Sequence, residues 1–434
     1  MIVDRCGRTR RAHAFVVLAF LVWASPVFAQ EELTLEVAMK RSLQTHERAK
    51  IAELDVEAAE GAVESARADF LPTLVLGAEA TLAPPDDADR YVTGSGTLTL
   101  RQPLLNPSAI PRLSSAKHTL ESEKLSAGEE RRQLAFETAR AFLDALAAER
   151  FVDAAEERLK RAKANQDNAQ ARVDAELNSS NDVTRAKLEV SSAARELAQR
   201  ERDEIEARIA LALLVGGPVE GELVSPEVLF EEARTFAGNA EELSNAASTT
   251  RGDVRALEEQ ALAAKESAKE PLFRLAPSID LTGRFRVNPD PLPEQSWHDE
   301  SLTLALTWTI FDGGQRYGDR KTLLARTYSI DAQRSLVRRT LSTEIQSSIT
   351  SLETSRTTYS LAQEAKSAAT TNTEETNVLY QQGLARAIEV VDANAEQFDA
   401  EVEVESSRIE MARSYLGLRQ SMGAQPLAGF EAEQ

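Results

Sequence analysis

The stretch Ser278-Ile279-Asp280-Leu281-Thr282-Gly283-Arg284-Phe285-Arg286-Val287 changes character at every step. Ile279, Leu281, Phe285 and Val287 fall on one side, and Asp280, Thr282, Arg284 and Arg286 on the other. Side chains that alternate with period two mark a β-strand. The pattern resumes at Leu302, where Leu302, Leu304, Leu306, Trp308 and Ile310 alternate with Thr303, Thr307 and Thr309. The pair begins at Leu275-Ala276-Pro277 and runs to Ile310-Phe311-Asp312. About 206 residues upstream the chain says the same thing, the signature of an internal repeat. Phe70-Leu71-Pro72 opens a strand with Leu74, Leu76, Ala78, Ala80 and Leu82 on one face and Thr73, Glu79 and Thr81 on the other. Pro84-Pro85-Asp86-Asp87 makes a turn. In the return strand Leu98 and Leu100 oppose Thr97, Thr99 and Arg101, ending at Leu104-Leu105-Asn106.

Each strand is about the 9–11 residues that cross a bilayer at a tilt, apolar outward and polar inward. A soluble, half-buried sheet alternates in the same way, so the pattern alone leaves both readings open. The start of the chain bears on the choice. Arg5, Arg8, Arg10 and Arg11 form a basic head, Phe15 to Trp23 a short apolar run, and Val27-Phe28-Ala29 a small-residue cleavage site. Residues 1–29 therefore read as a secretory signal peptide, too short to span a membrane. Export together with duplication favours the membrane reading. Four strands cannot close a barrel, for which about eight is the practical minimum. An open sheet edge in lipid has nothing to satisfy its backbone groups. Strands that span a membrane would thus require several chains to share one barrel.

Long helical patterns flank the strand pairs. Leu33 to Ala68 reads as one helix, stopped by Pro72. Ser108 to about Ala175 contains only Gly128 and an early Pro111 as helix-breaking residues, enough at 1.5 Å per residue to reach roughly 95–100 Å. Ala141, Ala148, Ala155, Ala162 and Ala169 recur every seven residues, a seam of small knobs that also suits an ordinary antiparallel coiled coil. Asn178-Ser179-Ser180-Asn181 interrupts, and a second helix runs from Asp182 to about Leu214. The other repeat matches: Gln315 to Gln382, a break at Gly383, then Ala387 to about Gly423. The division expected is a leader (1–29), a first repeat (30–215), an irregular link (216–251) with a short helix from Ala240 to Ser248, a second repeat (252–423) and a loose tail (424–434).

Composition excludes much. The only cysteine is Cys6, in the leader, so disulfides, zinc–thiolate sites and cysteine nucleophiles are ruled out of the remaining chain. Removing a leader of four arginines and one aspartate from a chain of net charge −20 leaves about −23, which argues against nucleic acid or anionic lipid as partners. His46, His118 and His298 lie in unlike segments and suggest no metal cluster. Thr93-Gly94-Ser95-Gly96 is followed by no helix and is neither a phosphate loop nor a nucleophile elbow. No catalytic constellation and no cofactor signature emerges.

Several ordered signatures resemble the TolC-like outer membrane efflux proteins. They are Leu33-Thr34-Leu35-Glu36-Val37-Ala38, Ala66-Arg67-Ala68-Asp69-Phe70-Leu71-Pro72, Thr309-Ile310-Phe311-Asp312-Gly313-Gly314, and Tyr380-Gln381-Gln382-Gly383 followed by Glu389-Val390-Val391-Asp392-Ala393. Together they cover about Leu33 to Gly423. The resemblance implies a mainly α fold with a membrane β part. In it a homotrimer builds a 12-stranded barrel, four strands from each chain, continued by a 12-helix periplasmic tunnel. It implies that Leu98, Leu100, Leu281, Phe285, Leu304, Leu306 and Trp308 face outer-membrane lipid. It places Asp182, Tyr380, Arg386, Glu389 and Asp392 at a periplasmic gate, with Ala385 where the family has an arginine. It makes Leu177, Gly383 and Leu384 the contact with a periplasmic adaptor that serves an inner-membrane pump. Independently, Glu389 and Asp392 are three residues apart and share a helix face. Repeated around a pore they would favour cations, although a solvated acidic face reads the same.

The functional expectation is a passive exit duct of a tripartite efflux pump or type I secretion system, with no enzymatic activity. The alternative is a periplasm-spanning coiled-coil scaffold without transport.

Overall fold

A computed structural model describes residues 33–83, 91–177, 179–289 and 296–430. The leader, the turn at Pro84–Asp87, Asn178 and residues 431–434 lie outside the described residues. The order is α1 (Leu35–Thr45), α2 (Glu47–Ala68), β1 (Thr73–Ala83), β2 (Tyr91–Leu105), α3 (Ala109–Asp174), α4 (Ser180–Val215), α5 (Glu227–Thr235), α6 (Ala240–Thr250), α7 (Gly252–Ser267), α8 (Glu270–Phe273), β3 (Ser278–Val287), β4 (His298–Thr307), α9 (Gln315–Gln381) and α10 (Ala387–Ser421).

The four strands form one antiparallel sheet in the order β1-β2-β3-β4. The duplicated hairpins are thus joined edge to edge, by pairing of β2 with β3. Residues directly opposite in an antiparallel ladder share a face. Leu74 pairs with Leu100, Leu76 with Leu98, Leu98 with Phe285, Ile279 with Leu306, and Leu281 with Leu304. All these apolar side chains therefore project from a single face. Leu76 is 79% and Leu302 75% exposed in the isolated chain, so that face has no partner within it. The opposite face carries Thr73, Thr99, Arg101, Asp280, Thr282, Arg284, Thr303 and Thr307, with Arg101 paired to Asp280 at 3.0 Å. β1 and β4 are left as open edges.

The strand read through Asp312 ends at Thr307. Trp308, expected on the lipid-facing strand, lies just beyond it, and its indole nitrogen donates to the Leu275 carbonyl at 2.8 Å. The indole N–H found a partner at the sheet's base, where the chain turns into Gly313 and Gly314, both with positive φ.

α3 has 66 residues and α9 has 67, each about 100 Å long at 1.5 Å per residue. α4 packs along α3, and α10 along α9. Ala155, Ala162 and Ala169 of the alanine series are buried. The main core lies at the middle of the shaft, where Phe136, Phe142, Leu143 and Leu146 of α3 meet Met39, Leu211, Leu229, Leu341, Ile345 and Leu416. No helix among the described residues is long and apolar enough to cross a membrane.

Three expectations need correction. The helix read from Leu33 to Ala68 is two helices, because His46 is extended and ends α1 while its Nδ1 accepts from Arg48 N to cap α2. The irregular link contains α5, whose Leu229, Phe230 and Ala233 are buried. The tail is not loose as far as Phe430, which is 4% exposed in the core; Gln425 and Ala424 carbonyls accept from Arg419 and Arg132.

The two repeats share a joint at which one helix ends against the start of another. In the first, α4 ends at left-handed Gly216, and Thr45 Oγ1, on the last residue of α1 just before α2, donates to the Val215 carbonyl at 2.9 Å. In the second, α10 gives way to left-handed Gly423, and Arg251 at the head of α7 donates to the Ser421 carbonyl at 3.3 Å. Arg251 also holds Asp253 at 2.6 Å and Glu344 at 3.0 Å. Burial opposes both charges of the Arg251–Asp253 pair. Their hydrogen bond and charge attraction together, with Glu344 adding its own on the arginine, outweigh it, keeping the guanidinium pKa raised and the Asp253 carboxyl below the usual carboxylate range.

Candidate functional site

At the end of the shaft away from the sheet, the two long helices turn back on themselves. α3 ends in a turn in which Glu176 N bonds to Val173 O at 2.9 Å and Leu177 N to Arg172 O at 2.8 Å. α9 ends in the same way, with Gly383 N to Tyr380 O at 3.0 Å and Leu384 N to Leu379 O at 2.8 Å. These paired bonds are the Schellman arrangement, which puts its turn residue in the left-handed region. Gly383 has φ 79° and meets that demand freely, whereas Glu176 has φ 58° and bears the steric strain of its Cβ. Leu177 and Leu384, the expected adaptor-contact leucines, stand out from the two turns at 69% and 72% exposure.

The tips lie side by side. Leu177, Asp182, Arg185, Tyr380, Arg386 and Ile388 line one groove of about 440 Å³ between them. Three of the five expected gate residues are thus brought together: Asp182 from α4, Tyr380 from α9 and Arg386 from the head of α10. Tyr380 is buried. Arg386 is highly exposed and turns along its own helix, its Nε 2.8 Å from Glu389 Oε1. That hydrogen bond holds the Glu389 carboxyl below the usual carboxylate range. Asp392 follows on α10 and is exposed.

The sequence reading missed Arg172, in the last turn of α3. Its Nη1 donates to the Gln381 carbonyl at 3.0 Å, and its guanidinium lies 5.1 Å from the centre of the Tyr380 ring. A basic residue in a last turn normally reads as serving its own helix's C-terminus. Here the neighbouring helix's C-terminus receives the charge, which no spacing rule within one helix reveals.

The profile of the outer membrane efflux protein family matches residues 39–217 and 243–424, one segment for each repeat. Several solved channels share the fold. The outer-membrane channel OprN is 19% identical, with 90% of each chain covered and a TM-score of 0.75. The outer membrane protein VceC of Vibrio cholerae is 18% identical, covering 90% of this chain and 96% of its own, with a TM-score of 0.74. The MtrE outer membrane channel of Neisseria gonorrhoeae, described in its open state, is 19% identical over 90% and 89% of the two chains, with a TM-score of 0.76. No curated protein gives a significant match.

Proposed function

The chain belongs to the outer membrane efflux protein family, and we propose that three copies build one passive duct through which cargo leaves the cell. As a member of that family it sits in the outer membrane and extends into the periplasm as an efflux duct.

One observation carries it: a four-stranded sheet, apolar on one exposed face and polar on the other, has both edges open and stands on a shaft of long helices. Lipid against the apolar face and neighbouring strands against the edges would satisfy both features. Two copies would supply eight strands, whose interior side chains fill. Three supply twelve and leave a passage lined by the polar face. The helices would then carry that passage across the periplasm.

At the far end, Leu177, Gly383 and Leu384 are the surface offered to a periplasmic adaptor and the inner-membrane pump or secretion transporter behind it. Asp182, Tyr380, Arg386, Glu389 and Asp392 line the entrance. Mass measurement of the detergent-solubilised protein tests the assembly, and a trimer is expected. A stable monomer or dimer would contradict the duct.

A further inference from the structure

The charged side chains on the polar face of the sheet are Glu79, Arg101, Asp280, Arg284, Arg286 and Asp299. They are unevenly matched. Arg101 is paired with Asp280 at 3.0 Å, near the shaft. Arg286 stands directly opposite Asp299, and Glu79 opposite Ser95, toward the far end of the sheet. Arg284 stands between Thr99 of β2 and Ser301 of β4, with no carboxylate directly opposite it on either side. It is exposed and, among the described residues, forms no ion pair. A chain of net charge −20 thus places an unneutralised guanidinium in the middle of this face.

We propose that Arg284, from three copies, forms an anion-binding ring inside the barrel, which takes a carboxylate or phosphate group of cargo in transit. This rests on the duct reading above, which turns the polar face toward the passage. A guanidinium is a planar fork of donors that matches a carboxylate or phosphate in a two-point contact. The Thr99 and Ser301 hydroxyls, one on each side of it, can donate to the remaining oxygens of the same group. Thr97, Thr282 and Thr303 fill the face around them and add no competing charge. Twelve strands about 4.8 Å apart, tilted by about 40°, enclose a backbone cylinder of roughly 12 Å radius. Arginines extending inward from three sides bring their charges within about a Debye length, roughly 8 Å, of an ion on the axis. The low-dielectric wall focuses their fields there. Asp299, diagonal to Arg284 on β4, is the carboxylate that opposes an arriving anion.

The test uses the full-length trimer in neutral detergent, with inorganic triphosphate as the probe and titration calorimetry as the readout. Mass measurement of the same sample establishes the trimer. Wild type should bind one triphosphate per trimer, because the three guanidiniums face a shared axis, and the affinity should fall as salt rises. Arg284→Gln should weaken binding roughly tenfold or more, the scale of losing charge-assisted two-point contacts. Arg284→Lys keeps the charge but loses the fork, and should fall between. Asp299→Asn should act in the opposite sense and tighten binding, which no loss of structure would produce. A wild-type trimer that does not bind triphosphate, or whose affinity survives Arg284→Gln, would overturn the ring and leave the duct standing. So would three independent sites per trimer. A chain that does not form a trimer would overturn the duct itself. Should Arg284→Gln not assemble, Arg284→Lys and Asp299→Asn decide by the same titration.

Discussion

At the joint of the first repeat a single hydroxyl, Thr45 Oγ1, reaches the end of α4. At the matching joint of the second, Arg251 reaches the end of α10 and is itself gripped by Asp253 and Glu344. The tips differ in the same manner. Both turns use the same two backbone hydrogen bonds, yet one places glycine and the other glutamate in the left-handed position. Beyond the turn, α10 offers Glu389 and Asp392, and α4 offers Asp182 and Arg185 at the corresponding spacing. The hairpins differ least, with Leu98 and Leu100 matched by Leu304 and Leu306 on one face of the sheet. Duplication has kept the demands of the backbone and let the side chains that meet them diverge, except where one face of a shared sheet sets the same demand on both copies.

The strongest challenge to that contrast is in the sheet, where the repeats should behave alike. Leu304→Arg and Leu98→Arg should each destabilise the assembled barrel by roughly 2–4 kcal/mol, since each puts a charge near mid-bilayer. Thr303→Arg and Thr97→Arg, on the polar face, should be tolerated. Trimer yield on refolding into lipid vesicles measures this, and equal losses on both faces would show that the sheet does not meet lipid as described.

The joints should behave differently from each other. Arg251→Ala takes the guanidinium from a partly buried carboxylate, which keeps only the Val254 N–H, and from a helix-end carbonyl, and should lower stability by about 2–3 kcal/mol. Thr45→Ala loses one hydroxyl bond and should lose about 1 kcal/mol. The Arg251–Asp253 pair also gives the second joint a pH signature. The Asp253 pKa is depressed in the folded chain. Its contribution is therefore complete above the unfolded value of about 3.9 and is lost as pH falls through the folded value. Acid unfolding of wild type and Arg251→Ala should converge at low pH and separate above about pH 4. Denaturant titration of the solubilised protein reads both effects, and equal losses at the two joints would remove the asymmetry.

A smaller effect separates the turns. Glu176→Gly relieves a left-handed non-glycine residue and should stabilise by about 0.5–1 kcal/mol, whereas Gly383→Ala should destabilise by about 1 kcal/mol. Thermal melting of the two variants should move in opposite directions. Movement in the same direction would mean that the turns are not equivalent despite their shared hydrogen bonds.

The last contrast leaves stability untouched. Glu389→Gln with Asp392→Asn should weaken cation selectivity and block by multivalent cations in single-channel recordings, because it removes six carboxylates from the entrance of a trimer. Asp182→Asn with Arg185→Gln removes no net charge and should change selectivity less. If the acidic pair has no effect, those carboxylates are a solvated face.

The sequence by itself determined the duplication, the alternation of long helices with strand pairs, and which strand residues share a face. Those features are periodic, and period two or heptad spacing survives without knowledge of any neighbour. It also determined that four strands would be too few. The turn at Gly383 was legible because a helix end makes a local demand on φ. What the tertiary structure decided was every pairing between distant segments. His46 divides the first helix beside Thr45, the last residue of α1, which meets the end of α4 across 170 positions of sequence. Phe430 joins the core cluster that residues of α5 and α10 also enter, a partnership with no local signal. Trp308 leaves the strand to reach the Leu275 carbonyl. Arg172 serves a helix other than its own, because the direction of a long flexible side chain follows from which helix lies beside it, and only packing sets that.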